Sequence, residues 1–199
     1  ADLAIELGCA RVTVNRALRT LAEIGLLDRR RKAGTRVALH PVSKATLSIP
    51  LIRNEIEASG KSYSYHLLSQ KAEPAPTLVT KQFALKANAP LRHVIALHMA
   101  DSTPYVLENR WINSSALPHL ADVSFTKLSA NEWLLRNTPF THGDIVFGAK
   151  NASQLEAVHL ATKLDTALFV ISRTTWDHET AVTMVDLVFH AGHRKHTQL

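Results

Sequence analysis

The sequence predicts an α+β protein in which a small helix-turn-helix unit precedes a larger domain built on a mostly antiparallel sheet. Apolar residues in the first 24 positions recur at spacings of three and four, the period of an amphipathic helix. Farther along, pairs of strand-like runs are separated by short turn signals, which is typical of antiparallel hairpins. With 199 residues, of which 46% are hydrophobic, the chain can bury a real core beside the small unit.

The N-terminal unit begins with a predicted helix over residues 1–7, and Gly8 follows it where a left-handed C-cap is required. A second amphipathic helix is predicted over residues 11–24, with a core-facing stripe of Val14, Ala17, Leu18, Leu21 and Ala22. Residues 26–30 and 35–38 then read as a two-stranded hairpin with a basic tip. This order of helix, turn, helix and wing is the one that places the second helix in the DNA major groove.

The distribution of charge supports DNA binding by this unit. Residues 1–46 contain nine lysines and arginines but only four aspartates and glutamates. The other 153 residues contain fourteen basic and thirteen acidic side chains. Nearly all of the net charge of +6 therefore lies in the first quarter of the chain. The alternative is an ordinary helical hairpin with a solvated arginine run. A basic end joined to a near-neutral body instead favours a DNA-binding head on a body with another role.

Several short motifs follow one another in the head: Ala1-Asp2-Leu3-Ala4, Gly8, Arg11, Thr13-Val14, Arg16-Ala17-Leu18, Gly25-Leu26-Leu27, Arg29-Arg30 and Gly34-Thr35. Together they resemble the winged head of GntR-type bacterial repressors. The resemblance implies that the recognition helix faces DNA with Arg11, Thr13, Val14 and Arg16. We expect the wing to meet phosphates or the minor groove with Arg31, Lys32, Gly34 and Thr35. In this family another helix precedes the position where this sequence starts, so we expect the head to lack its first helix.

A change in pattern marks the domain boundary. Prolines and small polar residues interrupt the periodicity over residues 40–50, which we predict to be a linker between a head at 1–39 and a body at 51–199. The body is predicted to contain helices at 51–59, 77–85, 128–137 and 152–162. Its predicted strands are 63–72, 92–100, 105–112, 141–149, 167–177 and 180–190. The strands from 92 to 112 and from 167 to 190 should form two hairpins.

Three motifs stand in order along the body: Leu107-Glu108-x-Arg110-Trp111-Ile112-Asn113, then Arg173-x-Thr175-Trp176, then Gly192-x-Arg194. Behind a GntR-type head they resemble the UTRA effector domain of the HutC subgroup, whose fold is similar to that of chorismate lyase. The resemblance implies a cytoplasmic homodimer that binds double-stranded operator DNA. It also implies repression that a small metabolite relieves.

Charged residues inside apolar strands predict the effector site. Strand alternation puts Glu108 and Arg110 on one face of their strand, and Asp186 and His190 on one face of the last strand. Burying such groups is costly unless they are paired, so we expect a ligand or a partner there. The alternative is that Glu108 and Arg110 bind each other, or a neighbouring loop, and only hold the hairpin. With His98, whose position resembles one lining the UTRA pocket, the predicted effector site comprises His98, Glu108, Arg110, Arg173, Thr175, Asp186 and His190.

The mixture of acids, histidines and few arginines indicates the ligand class. Arg173 can bind a carboxylate as a bidentate fork, and Thr175 can add a hydroxyl. A phosphate dianion should require more clustered donors, so a flat, singly anionic imidazole acid fits better. By resemblance to HutC this ligand is urocanate, which implies a repressor of histidine utilization genes. The alternatives are another effector, such as a sugar phosphate or a different organic acid, and more distantly a chorismate lyase-like enzyme. No catalytic triad or phosphate loop stands out, so we expect no enzyme.

Metal and cofactor sites are not expected. The spacing His190-x2-His193-x2-His196 resembles a zinc ligand set, but the three histidines stand in a basic tail where we expect solvent exposure. A single cysteine, Cys9, excludes an intrachain disulfide and fits a reducing compartment. No apolar run approaches the ~18 residues of a membrane span, so no membrane partner is expected.

Overall fold

The computed structural model of the chain describes residues 2–23, 27–30, 34–37, 51–86, 89–138 and 140–195. The chain divides into a small N-terminal unit and a larger C-terminal unit that runs from Pro50 to Lys195. The predicted linker at 40–50 lies outside the described residues, so the predicted domain bounds stay a prediction. Among the described residues, no helix is long and apolar enough to cross a membrane.

The N-terminal unit has the predicted order of helix, turn, helix and wing. Helix α1 (Asp2–Glu6) is followed by Gly8, whose φ of +59° is the left-handed C-cap conformation. Helix α2 is Arg11–Glu23. Strands β1 (Leu27–Arg30) and β2 (Gly34–Val37) pair antiparallel and form the wing.

The apolar stripe of α2 is only partly buried, so the predicted core face of this helix is too wide. Val14 is buried, Leu18 and Ala22 are half-buried, and Ala17 and Leu21 are exposed. Helix α1 has five residues, which is about 7 Å of helix, against about 20 Å for α2. A helix of that length covers roughly one turn of its neighbour, and Val14 lies at that turn.

The C-terminal unit is built on one six-stranded sheet. Its strands in chain order are β3 (Tyr63–Pro74), β4 (Pro90–Ala100), β5 (Thr103–Ile112), β6 (His142–Asn151), β7 (Ala167–Asp177) and β8 (Thr180–Phe189). They lie in the order β3-β4-β5-β8-β7-β6, and every neighbouring pair is antiparallel. The predicted α+β class and both hairpins are confirmed. Asp101 and His178 carry the positive φ values, 54° and 51°, that such tight turns require.

Helices cover both faces of the sheet. Helices α3 (Ile52–Ala58) and α5 (Ala130–Asn137) pack on one side, which we call the α3/α5 face. Helices α4 (Thr77–Gln82) and α6 (Gln154–His159) pack on the other, the α4/α6 face. A short 3-10 helix, Pro118–Leu120, precedes α5.

Several elements have other bounds than the sequence predicts. Strand β3 continues to Pro74, which pairs with Pro90, through residues predicted to be a turn. Helix α6 starts after Ser153 rather than at Ala152, because Ser153 and Glu156 form a reciprocal capping box at its first turn. Local capping of this kind sets a helix start more narrowly than apolar periodicity does.

Candidate effector site

A network of buried polar side chains occupies the centre of the α3/α5 face. His98, Glu108 and Arg110 are each at most 1% exposed, although they stand in strands that are otherwise mostly apolar. His98 lies opposite Val106 in the β4–β5 ladder, so Glu108 is its diagonal neighbour on the same face. These two members of the predicted effector site are therefore in contact.

The carboxylate of Glu108 is the hub of this network. Its Oε2 atom lies 2.8 Å from Nε2 of His98, and its Oε1 atom accepts a hydrogen bond from Nε of Arg110. The Tyr63 hydroxyl lies 2.8 Å from Nδ1 of His98, and burial raises the pKa of Tyr63, so the phenol stays protonated. His98 therefore links Tyr63 to Glu108 through its two ring nitrogens.

The ionised state of Glu108 depends on its neighbours. Burial alone raises the pKa of this carboxyl, but the charge of Arg110 and the hydrogen bond from His98 together hold it well below its usual range. Glu108 is therefore a buried carboxylate, compensated by the adjacent guanidinium.

A second guanidinium reaches the same place without a carboxylate of its own. Arg173 pairs with Val185, which pairs with Arg110, so both arginines lie on the α3/α5 face. Oδ1 of Asn131 accepts from Nη2 of Arg110 at 3.3 Å and from Nη2 of Arg173 at 2.5 Å. Burial, with Arg110 nearby, lowers the pKa of Arg173 to about 9. Two buried arginines thus share the amide oxygen of Asn131, and Glu108 contacts only one of them, Arg110.

Two buried polar atoms beside this network have no hydrogen-bond partner among the described residues: Nε of Arg173 and the hydroxyl of Tyr65. Tyr65 lies directly opposite His98, and its ring meets the imidazole edge-on at 5.2 Å. Unpartnered donors at such depth are costly unless something binds them. Their position beside an excess positive charge is suited to an anionic group that accepts hydrogen bonds.

Side chains from α3 and α5 close over the network. The guanidinium of Arg53 stacks on the Tyr63 ring at 4.4 Å, and its Nε donates to Oε1 of Glu132 at 3.1 Å. Glu55, also in α3, accepts from the Tyr105 hydroxyl at 2.7 Å and from Nζ of Lys195. Helix α3 is therefore fixed to the sheet, to α5 and to the end of the unit by polar contacts.

We expect the free energy of unfolding of the parent chain to fall more steeply in acid than that of a Glu108→Gln variant. Because the folded pKa of Glu108 lies below its unfolded value, its contribution is fully present above about pH 4.3 and is lost as pH falls toward the folded pKa. Urea unfolding at pH 7, 4 and 3 measures this, and other carboxylates cancel in the comparison. Equal losses of unfolding free energy in the two proteins would contradict a lowered pKa of Glu108 in the folded chain.

Of the predicted effector residues, the structure brings His98, Glu108, Arg110 and Arg173 together. Thr175 is buried on the same face, two residues beyond Arg173 and opposite Thr183. The contact between Glu108 and Arg110 that the alternative interpretation predicts is confirmed. The pair both holds the hairpin and forms the centre of the network.

The structure separates two predicted residues from this site. Asp186 pairs with Asn109 and Ser172, so it lies on the α4/α6 face, where it accepts a 2.6 Å hydrogen bond from the Ser172 hydroxyl. Placing it in one pocket with Glu108 is wrong, because side chains alternate and Glu108 pairs with Leu187 instead. His190 follows β8, and its Nδ1 contacts the carbonyl of Ala191 rather than the network.

Sequence reasoning missed about half of the network: Arg53, Tyr63, Tyr65, Asn131, Glu132 and Thr183. The alternation of Tyr63 and Tyr65 in one strand was the available signal, since it puts two hydroxyls on one face. Asn131 gives no such signal, because a single polar residue in the first turn of a helix is ordinary. Its role follows only from the packing of α5 onto the sheet.

A cavity of about 450 Å³ lies beside the C-terminal end of α5 and the β7–β8 turn. Its lining includes Trp133, Asn137, Asp177 and Thr180. None of the lining residues belongs to the buried network, so the cavity and the network are separate features.

In the head, Arg11, Thr13 and Arg16 are exposed on α2, as a recognition helix requires. Val14 is buried, so its predicted contact with DNA is wrong: the position belongs to the interior stripe of α2. In the wing, Thr35 is exposed and Gly34 begins β2. Arg31 and Lys32 lie outside the described residues.

The histidines near the C-terminus pack among aromatic rings. His193 stacks on Phe189 at 4.1 Å, and burial lowers the pKa of His193 to about 4. Its position contradicts the expected solvent exposure, while His196 lies outside the described residues. No group of three or more histidines, cysteines or acids within the described part of the chain is arranged to hold a metal ion.

The UTRA domain family matches residues 58–195, which include the whole six-stranded sheet. The chain belongs to the UTRA family. The match covers the whole buried network apart from Arg53, so the network is a feature of the UTRA domain of this chain.

Similar proteins support the predicted kinship with HutC-like regulators. The histidine utilization repressor of Pseudomonas putida is 29% identical over 194 residues, covering 98% of this chain and 78% of that protein. The histidine utilization repressor of Klebsiella aerogenes is 26% identical, covering 95% of this chain and 78% of that protein. The predicted relationship to this subgroup is confirmed.

Solved structures share the fold. The C-terminal domain of the histidine utilization repressor from Pseudomonas syringae superposes with a TM-score of 0.64 at 23% identity, covering 69% of this chain and 98% of that one. PhnF from Mycobacterium smegmatis gives a TM-score of 0.65 at 20% identity, covering 95% of this chain and 84% of that one. The second likeness extends over both units of the chain.

Proposed function

We propose that this chain is a transcriptional repressor of histidine utilization genes that binds operator DNA as a homodimer and is released by a small anionic metabolite. The observation that carries the proposal is the second buried arginine, Arg173, which contacts Asn131 beside Arg110, has no carboxylate partner among the described residues and keeps an unpartnered Nε. The relatives named as histidine utilization repressors support the regulatory role. They are repressors, which favours a regulator over a lyase-like enzyme.

Urocanate is the effector that fits this chemistry best. Its carboxylate would accept from Nε of Arg173, which supplies the missing partner of this guanidinium and balances the excess charge. Its flat imidazole would lie among the rings of Tyr63, Tyr65 and His98. A sugar phosphate would bring two charges to a place with one uncompensated guanidinium, so it ranks below a single carboxylate. Another organic acid remains the second candidate.

Exposed residues of the head would read the operator. We assign base or phosphate contacts to Arg11, Thr13 and Arg16 on α2, since arginine can fork onto guanine and threonine can reach a base or a phosphate. The wing residues Arg31, Lys32, Gly34 and Thr35 would meet the backbone or the minor groove. Val14 is not among them.

Movement of a ligand into the buried network would couple effector binding to operator binding. Arg53 stacks on Tyr63, and Tyr63 contacts His98, so we propose that a ligand enters the buried network when α3 or α5 shifts. Helix α3 begins just after the segment that joins it to the head, so a shift there can change how two heads are spaced. A coupling of about 1–3 kcal/mol would weaken operator binding by roughly 5–150-fold.

The test is operator release by a defined set of small molecules. An operator is first selected from a random duplex library with the chain itself, and its dissociation constant is then measured with urocanate, histidine, a phosphosugar panel and no addition. We expect saturating urocanate alone to raise the constant by roughly 5–150-fold. An unchanged constant with urocanate rejects this effector, release by a phosphosugar selects the alternative, and turnover of any compound would revive the enzyme.

Two substitutions should separate DNA reading from effector sensing. Arg16→Ala is expected to weaken operator binding by about 1–3 kcal/mol, since an arginine–base fork contributes about that much discrimination. Lys61→Ala removes the same charge from an exposed position of the body and serves as the control. His98→Ala is expected to blunt the urocanate response, because it removes the imidazole that links Tyr63 to Glu108. Equal operator binding by the Arg16 and Lys61 variants would contradict the assigned role of α2.

A further inference from the structure

Strand β6 is an edge of the six-stranded sheet and presents apolar side chains on both of its faces. Val146 is 61% exposed on one face and Phe147 is 48% exposed on the other. Strands with open edges expose a row of unpaired N–H and C=O groups that can pair with another chain. A ten-residue edge with apolar side chains is therefore a surface that favours strand addition.

The opposite edge of the sheet is built differently. Strand β3 has a register shift between Leu67 and Ser69 and ends in Pro74, two devices that protect edges from pairing. Strand β6 pairs with β7 without any shift, from His142 opposite Trp176 to Asn151 opposite Ala167. Only the β6 edge has the regular backbone that a further strand needs.

The backbone groups that face the free edge can be identified from the ladder. The N–H of Ala152 donates to the carbonyl of Thr166 at 2.8 Å, in the same register as the β6–β7 pairs. Because hydrogen bonds alternate along an antiparallel pair, the even-numbered residues of β6 bond to β7. The odd-numbered residues therefore direct their N–H and C=O groups outward: Gly143, Ile145, Phe147, Ala149 and Asn151.

We propose that β6 is the surface through which two copies of this chain pair, antiparallel, about a two-fold axis at Phe147. This deepens the homodimer of the proposed function, on which it rests, by naming the interface. A two-fold arrangement makes each contact twice, so a self-complementary strand is required. With the axis at Phe147, outward-facing residues meet outward-facing residues, and the two sheets join into one.

Charge complementarity selects this register. Asp144 stands three residues before Phe147 and Lys150 stands three residues after it, so each Asp144 lies opposite the Lys150 of the second copy. An axis at Val146 also satisfies the backbone but leaves Asp144 opposite Gly148 and Lys150 opposite His142, which removes both ion pairs. Lys150 already bonds Glu156 at 2.7 Å, yet its side chain is half-exposed and has two further protons to donate.

Apolar contacts agree with the same register. Phe147 stacks in its own chain with Phe169 at a centroid distance of 6.2 Å. Two Phe147 rings facing each other across the axis would extend this aromatic cluster over the interface and remove both half-exposed rings from water. On the other face, Val146 would lie over the Gly148 of the second copy, where no side chain obstructs it.

Cysteine cross-linking tests the register directly. In a Cys9→Ser background, we expect Phe147→Cys to form a disulfide-linked dimer under mild oxidation, because residues facing each other lie about 5.5 Å apart between Cα atoms. Val146→Cys is the matched control, since its two copies would lie about 8 Å apart, beyond disulfide reach. Non-reducing electrophoresis measures both. Cross-linking of Val146→Cys at or above the level of Phe147→Cys would overturn the proposed register.

A charge swap tests the interface without touching Phe147. Asp144→Lys alone and Lys150→Asp alone should each raise the dimer dissociation constant at least tenfold, while an equimolar mixture should restore pairing, because each opposed pair again joins opposite charges. Sedimentation velocity measures this, and circular dichroism melting confirms that each variant folds. A mixture no tighter than the single variants overturns the proposal.

Failure of this interface is distinguishable from failure of the proposed function. If the chain dimerises but neither test responds, the edge pairing is wrong and an operator-binding dimer through another surface stands. If both tests succeed and urocanate leaves operator affinity unchanged, the interface stands and the effector is wrong. If the chain is monomeric at all concentrations, the edge pairing and the homodimer both fail.

Discussion

Replacing Glu108 with glutamine is expected to lower the free energy of unfolding by about 3–5 kcal/mol. The change keeps the shape of the side chain but removes the only carboxylate among the described residues that Arg110 contacts, and it leaves this buried guanidinium without compensation. It also gives His98 an amide in place of a carboxylate acceptor. Urea unfolding at pH 7, followed by tryptophan fluorescence, measures the loss.

A second carboxylate–histidine pair provides the control for this substitution. Glu73 contacts His93 at 2.5 Å on the α4/α6 face, where its side chain is 38% exposed. Glu73→Gln is expected to cost less than about 1 kcal/mol, because solvent screens exposed pairs. Similar losses for the two variants would show that burial of Glu108 does not set its contribution.

Replacing Arg173 with methionine is expected to stabilise the unliganded chain by about 1–3 kcal/mol and to abolish its response to an anionic effector. Burial and the neighbouring Arg110 lower the pKa of Arg173, so its charge is a cost to the folded chain at pH 7. Methionine fills similar volume without that charge. The same change removes the unpartnered Nε that would hold a carboxylate.

Unfolding with and without urocanate separates the two effects. At a ligand concentration 100-fold above its dissociation constant, the parent chain should gain about 2.7 kcal/mol, and the Arg173→Met variant should gain nothing. Arg194→Met, which removes an exposed arginine, should change stability by no more than about 0.5 kcal/mol and should leave the ligand gain intact. A variant that is less stable yet still responds would show that Arg173 is a structural cation.

The features predicted correctly from the sequence are those encoded locally. Periodicity and a single glycine were sufficient for the helix-turn-helix, and turn residues between apolar runs were sufficient for both hairpins. The closeness of His98, Glu108 and Arg110 followed from one hairpin, because its two-residue turn restricts which side chains can meet.

The features that were missed depend on contacts between distant segments. Asp186 was assigned to the wrong face because strand alternation gives parity within one strand, while the register between β5 and β8 relates two strands far apart in the chain. Asn131 joins two arginines only after α5 packs on the sheet. Val14 fits both a DNA-facing motif and an interior stripe, and burial decides between them.

The polar network also has a consequence for how the chain reaches a single topology. Links from His98 to Glu108 and from Arg110 to Thr183 connect β4 to β5 and β5 to β8. Sliding β5 by one residue would turn Glu108 and Arg110 toward the apolar cluster under α6, with no partner for either charge. An all-apolar sheet would tolerate such a slip far better. The buried charges therefore favour the observed strand register mainly by raising the free energy of wrong alignments, and less by stabilising the correct one.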